Sequence, residues 1–360
     1  YRTDGALHDA MEPPKRLQNA IISRLKIMAD LDIAEKRRPQ DGKFQVKAEG
    51  RQIDFRVSSL PTVHGEKVVL RILDASNLAL SLDGLGFEDK ALDDFRKAIE
   101  SPYGMILVTG PTGSGKTTTL YSAVKEIMTP EQNFVTVEDP VEYQLDGINQ
   151  VQVNVKGGLT FAAALRSILR QDPDVCMVGE IRDSETIDIG VKAALTGHLV
   201  LSTLHTNDAA STITRMIDMG VDPFMVASST LLVSAQRLMR RLCKNCKQKI
   251  DAPEERLIEI GYTEADLAGA PVFYAAKGCG RCQQGYSGRF AILETLPISD
   301  RLKRMIVQGQ SALELRHAAL EDGMITLRRA ALLNALRGHT TIEEVLRVTL
   351  SDQRREMNLQ

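Results

Sequence analysis

The spacing of apolar positions changes near residue 87, and that change divides the chain. Before it, Leu17, Ile21, Leu25 and Met28 recur at helical spacing behind Pro13-Pro14. This predicts a helix with one buried face. Pro39-Gln40-Asp41-Gly42 reads as a turn. Strands are expected at Lys43–Ala48, Gln52–Ser58 and Lys67–Leu73. In the second, Ile53, Phe55 and Val57 alternate with Gln52, Asp54 and Arg56, the pattern of a half-exposed strand. Residues 74–86, with Asn77, Asp83, Gly84 and Gly86, read as a linker.

After residue 87, short apolar runs alternate with helical patterns, which argues for an α/β fold built on a parallel sheet. Lys90–Ile99 reads as a helix. Met105–Thr109, Phe134–Val137, Val175–Val178 and Leu199–Ser202 read as buried strands. Further helices are expected at about 161–170, 184–195 and 208–219. Residues 224–242 read as an apolar helix ending in Arg237, Arg240 and Arg241, and helical patterns return after 290 and run to about 350. The expected divisions are 1–76, a linker at 77–86, a core at 87–242, a cysteine module at 243–290 and a helical subdomain at 291–360.

Between the first core strand and its helix stands Gly110-Pro111-Thr112-Gly113-Ser114-Gly115-Lys116-Thr117-Thr118. Residues 110–117 match G-x-x-x-x-G-K-[ST], the Walker A phosphate loop. Glycines let backbone N–H groups approach phosphate, and the helix N-terminus that follows favours negative charge. Lys116 would reach the outer phosphates of ATP, and Thr117 would ligate Mg²⁺.

The other core strands also end in polar residues, and in an open parallel sheet ligands bind beyond the carboxyl ends of strands. Val137 is followed by Glu138-Asp139-Pro140-Val141-Glu142, Val178 by Gly179-Glu180-Ile181-Arg182-Asp183, and Ser202 by Thr203-Leu204-His205-Thr206-Asn207-Asp208. Asp174 through Glu180 is Walker-B-like, and Glu180 is the expected Mg²⁺ carboxylate. Glu138 or Glu142 could position and deprotonate the attacking water. His205 could donate a hydrogen bond to the γ-phosphate. His198, before its strand, reads as structural or switching. Arg56 and Arg71 lie outside this core, where solvated faces are the default for arginine.

Composition refines this picture at two points. The formal net charge of −2 gives no electrostatic reason to expect a nucleic-acid partner. Cys243-x-x-Cys246 and Cys279-x-x-Cys282 read as a four-thiolate zinc site rather than a disulfide scaffold, while Cys176 sits in an apolar strand as a small hydrophobe.

Taken in order, Gly110–Thr117, Thr136–Tyr143, Asp172–Asp183 and Thr196–Asp208 resemble the Walker A, aspartate, atypical Walker B and histidine boxes of the type II and type IV pilus secretion ATPase superfamily. The likeness is nearest to the type IV pilus assembly (extension) ATPases, with the type II secretion ATPases as close relatives. Arg37–Gly42 and Arg56–Thr62 resemble the family's second N-terminal domain. The resemblance implies a PAS-like α/β N-terminal domain, a RecA-like parallel-sheet ATPase domain and a homohexameric ring. It implies that Arg56 and Arg71 reach the γ-phosphate of a neighbouring subunit, and that Glu138 is the catalytic carboxylate. Cys243, Cys246, Cys279 and Cys282 argue for extension or secretion over retraction. The implied setting is cytoplasmic, at the inner face of the bacterial inner membrane, peripheral to it through a platform protein. Family members carry a further N-terminal domain, and a chain that opens on Tyr1 is expected to lack it. A nucleic-acid translocase and a nucleotide-gated scaffold are the rivals from other classes. Basic pore loops would mark the first and loss of Lys116, Glu138 or Glu180 the second.

Overall fold

A computed structural model describes residues 1–48, 50–73 and 81–352. The chain forms two compact units, Tyr1–Ala79 with Glu142–Gln144, and the remainder. The first opens with a small hairpin, β1 (Arg2–Thr3) and β2 (Ala6–Leu7), followed by α1 (Gln18–Met28). An antiparallel sheet then runs β3 (Gln40–Ala48), β4 (Arg51–Thr62) and β5 (Gly65–Leu73), in that spatial order.

Two expectations fail here. The stripe on α1 is not a buried face, since Leu17 and Ile21 stay 43% and 39% exposed. The helix instead buries Lys26, 1% exposed. Its ammonium donates to the Glu35 carbonyl at 2.7 Å and pairs with Glu66, the partners a buried charge requires. Residues 39–42 are also not a free turn, because β3 already begins at Gln40. Gly42 is a close-approach glycine, since a Cβ there would come within 2.3 Å of the Ala29 carbonyl oxygen.

The linker expectation falls partly on residues 74–80, outside the described residues. Its remainder is packed structure of the second unit. Leu82 is fully buried, and Asp83 pairs with Arg96 at 2.8 Å on α2 (Asp89–Ile99).

The second unit is organised by seven strands: β6 (Gly104–Thr109), β7 (Phe134–Glu138), β8 (Asn149–Gln152), β9 (Val175–Val178), β10 (Leu199–Leu204), β11 (Thr230–Leu242) and β14 (Tyr286–Pro297). Their spatial order is β14-β11-β6-β10-β9-β7-β8. All neighbours are parallel except β14, which runs antiparallel to β11. The helices are α3 (Lys116–Ile127), α4 (Phe161–Ile168), α5 (Ser184–Leu195), α6 (Ala210–Asp218) and α7 (Pro223–Ser229). Every residue of β6, β9 and β10 is buried, as two covered faces require.

The apolar helix expected over 224–242 is corrected. Only Pro223–Ser229 is helical; the rest is the thirteen-residue strand β11. A buried apolar run carries no period that separates strand from helix, and here a place beside β6 decides it. Gly104 leaves room for Leu231, whose Cγ would lie 2.5 Å from a Cβ there. Residues 291–297 are likewise strand β14, not the start of helices.

The cysteine segment contains β12 (Lys247–Ile250), α8 (Glu254–Glu259), α9 (Glu264–Leu267) and β13 (Phe273–Ala276). After β14 come α10 (Asp300–Val307), α11 (Ala312–Glu321), α12 (Leu327–Leu336) and α13 (Ile342–Val348). The segment is fastened to α12: Asp266 accepts both Nη groups of Arg329 at 2.7 Å, and the Tyr262 hydroxyl donates to the Leu332 carbonyl at 3.1 Å. Deep in the unit, the fully buried Glu294 accepts the backbone N–H of Ala209 at 3.0 Å and of Leu327 at 3.2 Å, facing Arg316 at 3.6 Å. Among the described residues no helix is long and apolar enough to cross a membrane.

Candidate nucleotide site and cysteine centre

The phosphate loop leaves the carboxyl end of β6 and enters α3, with Gly110, Gly113 and Gly115 all at positive φ. At Gly110 glycine is needed twice over, since a Cβ there would also meet Gln236 O at 2.5 Å and Ser114 Oγ at 2.8 Å. The Lys116 ammonium folds back on the loop, donating to the carbonyls of Gly110 at 2.9 Å and Pro111 at 3.3 Å. Burial holds its pKa below the usual lysine value; Glu180 opposes that and Arg237 adds to it. Ser114 Oγ is buried with no hydrogen-bond partner among the described residues. A lysine resting on carbonyls and an orphaned hydroxyl within the loop fit a phosphate group.

Glu180, just past β9, accepts from Arg182 Nη2 at 2.5 Å, and its other oxygen lies 3.3 Å from His205 Nε2. Burial alone would raise its pKa, but the hydrogen bonds from Arg182 and His205 outweigh that and leave it lowered. The expected Walker B carboxylate and histidine are therefore neighbours. The ends of β9 and β10 are laced together, Thr203 Oγ1 donating to the Gly179 carbonyl at 2.8 Å and Ile181 N to the Thr203 carbonyl at 2.9 Å.

Glu138, the last residue of β7, is 2% exposed. It accepts from Thr136 Oγ1 at 2.6 Å, Gln150 Nε2 at 3.0 Å and the Tyr121 hydroxyl on α3. Gly179 lets β9 lie flush with it, since a Cβ there would be 3.3 Å from Glu138 Cα. The alternative carboxylate is Glu142. It clusters with the first unit and pairs with Arg56 at 2.9 Å. Arg56 and Arg71 are direct cross-strand partners on β4 and β5, and Lys43 of β3 stands opposite Arg56, so three cations form one row. His198 Nδ1 lies 3.0 Å from the Ala193 carbonyl, tying α5 to the start of β10.

Tyr121 and Gln236 at this site escaped the sequence, while Arg182 and Arg237 stood in runs named there without a role. Gln236 had a signal, being the one amide side chain inside a mostly apolar run. Reading that run as helix hid which side of the sheet it faces.

The four cysteine Sγ atoms all lie within 4.8 Å of one another, with Cys243–Cys279 at 3.9 Å, Cys246–Cys282 at 3.6 Å and Cys279–Cys282 at 3.6 Å. Zinc bonded to sulfur at ~2.3 Å in a tetrahedron sets S–S edges near ~3.8 Å, so the donor set fits that ion. Gly285 is required for the knuckle, at φ 87° and with Ala276 Cβ 2.6 Å from where its own Cβ would be.

The family model for type II/IV secretion system proteins matches residues 1–347. The chain belongs to this family. The type IV pilus assembly ATPase PilB of Myxococcus xanthus is 54% identical over 356 residues, which is 98% of this chain and 63% of PilB. The type II secretion system protein HxcR of Pseudomonas aeruginosa is 51% identical over 97% of this chain and 70% of its own length. Among solved structures, the pilus retraction motor PilT with bound ADP superposes with a TM-score of 0.63 at 28% identity, over 88% of this chain and 79% of PilT. This secretion-family chain thus spans under two thirds of its pilus assembly relative.

Proposed function

We propose that this chain is the motor portion of an ATP-hydrolysing hexamer that drives assembly of a type IV pilus. The observation that carries this is the gathering of Lys116, Glu180 and His205 around an intact phosphate loop, in a chain 54% identical to a pilus assembly ATPase. Lys116 and the backbone N–H groups of residues 110–118, Pro111 apart, bind the phosphates of ATP. Thr117 and Glu180 hold Mg²⁺, which neutralises developing charge when bound. Glu138 takes the proton of the attacking water after exchanging its present hydrogen bonds. His205 contacts the γ-phosphate, and Arg56 and Arg71 enter from a neighbouring subunit. Cys243, Cys246, Cys279 and Cys282 hold a structural Zn²⁺. The motor works at the cytoplasmic face of the inner membrane against a platform protein, with no nucleic acid involved. The match to HxcR supports one second reading, in which the product is the pseudopilus of a type II secretion system.

Steady-state ATP hydrolysis by the parent chain is the test. Activity that is lost in Lys116→Ala, together with weaker ATP binding, is the expected result. A parent without turnover, or stimulation by DNA, would replace the motor with a scaffold or a translocase.

A further inference from the structure

Gln236 and Arg237 are adjacent on β11, and together they touch two segments that meet at the nucleotide site from distant parts of the sequence. Gln236 is 1% exposed, and both ends of its amide are engaged. Nε2 donates to the Ser114 carbonyl inside the phosphate loop at 2.8 Å, and Oε1 accepts from Thr119 Oγ1 in α3 at 2.8 Å. A Cβ on Gly115 would approach that Nε2 to 2.9 Å, so loop and amide are in close contact. Arg237 reaches the other way. Its Nη1 donates to the Gln236 carbonyl at 2.9 Å, and its Nη2 donates to both the carbonyl and Oδ1 of Asn207 at 3.1 Å. Asn207 lies two residues beyond His205, on the segment that leaves β10.

We propose that Gln236 and Arg237 are positioning residues that join the phosphate loop to the histidine segment, so that the loop and His205 keep one relative placement through the cycle. The inference rests on the nucleotide reading above. A guanidinium is a rigid planar fork, and Arg237 places Nη1 on the Gln236 carbonyl and Nη2 on Asn207, so the two segments are held in direction as well as distance. Apolar packing alone would not call for these two residues. Around them β11 fully buries Leu232, Val233, Ala235 and Met239, together with the small hydroxyl residue Ser234. Arg237 also sets a positive charge where it opposes the ammonium of Lys116.

The test is steady-state hydrolysis by the assembled enzyme with ATP as the varied substrate. Turnover by the unsubstituted protein decides the proposed function, and the variants decide the link alone. Gln236→Leu should raise KM about tenfold with kcat within about twofold, because it loosens ground-state phosphate binding. Gln236→Glu keeps the shape and the acceptor but loses the donor to Ser114, and should raise KM as well. Arg237→Gln should lower kcat about tenfold with little change in KM. Arg237→Lys should not restore it, because an ammonium cannot reproduce the fork. The double variant Arg237→Gln/His205→Asn should be no slower than His205→Asn, as expected for residues acting through one another. Multiplying effects in that pair, full activity in Arg237→Lys, or unchanged KM in both Gln236 variants would each overturn the link.

Discussion

The phosphate-loop cluster and the four-cysteine cluster concentrate chemistry by opposite means. The first is assembled by topology. Lys116 opens the helix that follows β6, and Glu138, Glu180 and His205 stand at or just past the ends of β7, β9 and β10, four strands that are parallel neighbours in one sheet. The second is assembled locally, from two short knuckles, with Gly285 supplying a backbone path that no side chain would permit. A cluster made by topology fails when the sheet fails. A cluster made by turns can be emptied while the sheet persists.

Removing zinc is the largest expected perturbation that separates the two. Thiolate zinc sites contribute ~10–16 kcal/mol of apparent binding energy in small peptides at neutral pH. Chelation should therefore release amide protection across 247–285 while β6, β9 and β10 stay protected. Protection lost equally in both regions would erase the distinction.

Next in size are the two arginines, which neither cluster contains. Arginine fingers are worth ~10³–10⁵ in rate. Arg56→Ala and Arg71→Ala should lose hydrolysis on that scale and still bind ATP. Mixed rings of Arg56→Ala with Glu138→Gln should regain partial activity. Mixed rings that form but remain as inactive as either parent would rule out simple trans complementation.

Glu138→Gln sharpens the comparison inside the sheet. General-base removal costs ~10²–10⁴ in rate. Nucleotide affinity should hold, because the phosphate contacts lie elsewhere, and the zinc content should be that of the parent. An unchanged kcat would take Glu138 out of the chemistry.

The smallest effect concerns how the cysteine segment is fastened. The Arg329 fork holds the Asp266 carboxyl well below its ordinary range. A lowered carboxylate stabilises the folded state above its unfolded pKa of about 3.9 and loses that contribution only as pH falls through the lower folded value. Asp266→Asn should therefore cost about 1 kcal/mol in thermal unfolding, discounted for its partial exposure. The difference should be flat between about pH 5 and 8. A difference that fades within that window would assign the effect to another group.

What the sequence disclosed follows the same division. The cysteine pairs are legible because their spacing is the chemistry. The phosphate loop is legible because glycine, lysine and threonine are required in fixed order. Core strands such as Val175–Val178 and Leu199–Ser202, the second extending to Leu204, are legible because both faces are covered and the positions are nearly all apolar. β11 is not, because thirteen mostly apolar residues carry no period once both faces are buried, and only the vacancy beside β6 selects a strand. Lys26 is not legible either. Its burial depends on Glu66, which lies on strand β5, far along the chain.

Glu294 has a consequence for the way the second unit opens. One carboxylate accepts the amide protons of Ala209, beside the helix that follows the histidine segment, and of Leu327, at the start of α12. Neither amide can be exposed to solvent without disturbing the shared acceptor, and a buried carboxylate left half-satisfied is costly. Hydrogen exchange at these two amides should thus report a single opening event with one common protection factor. A fluctuation beginning at the histidine segment would reach the C-terminal helices in that same event.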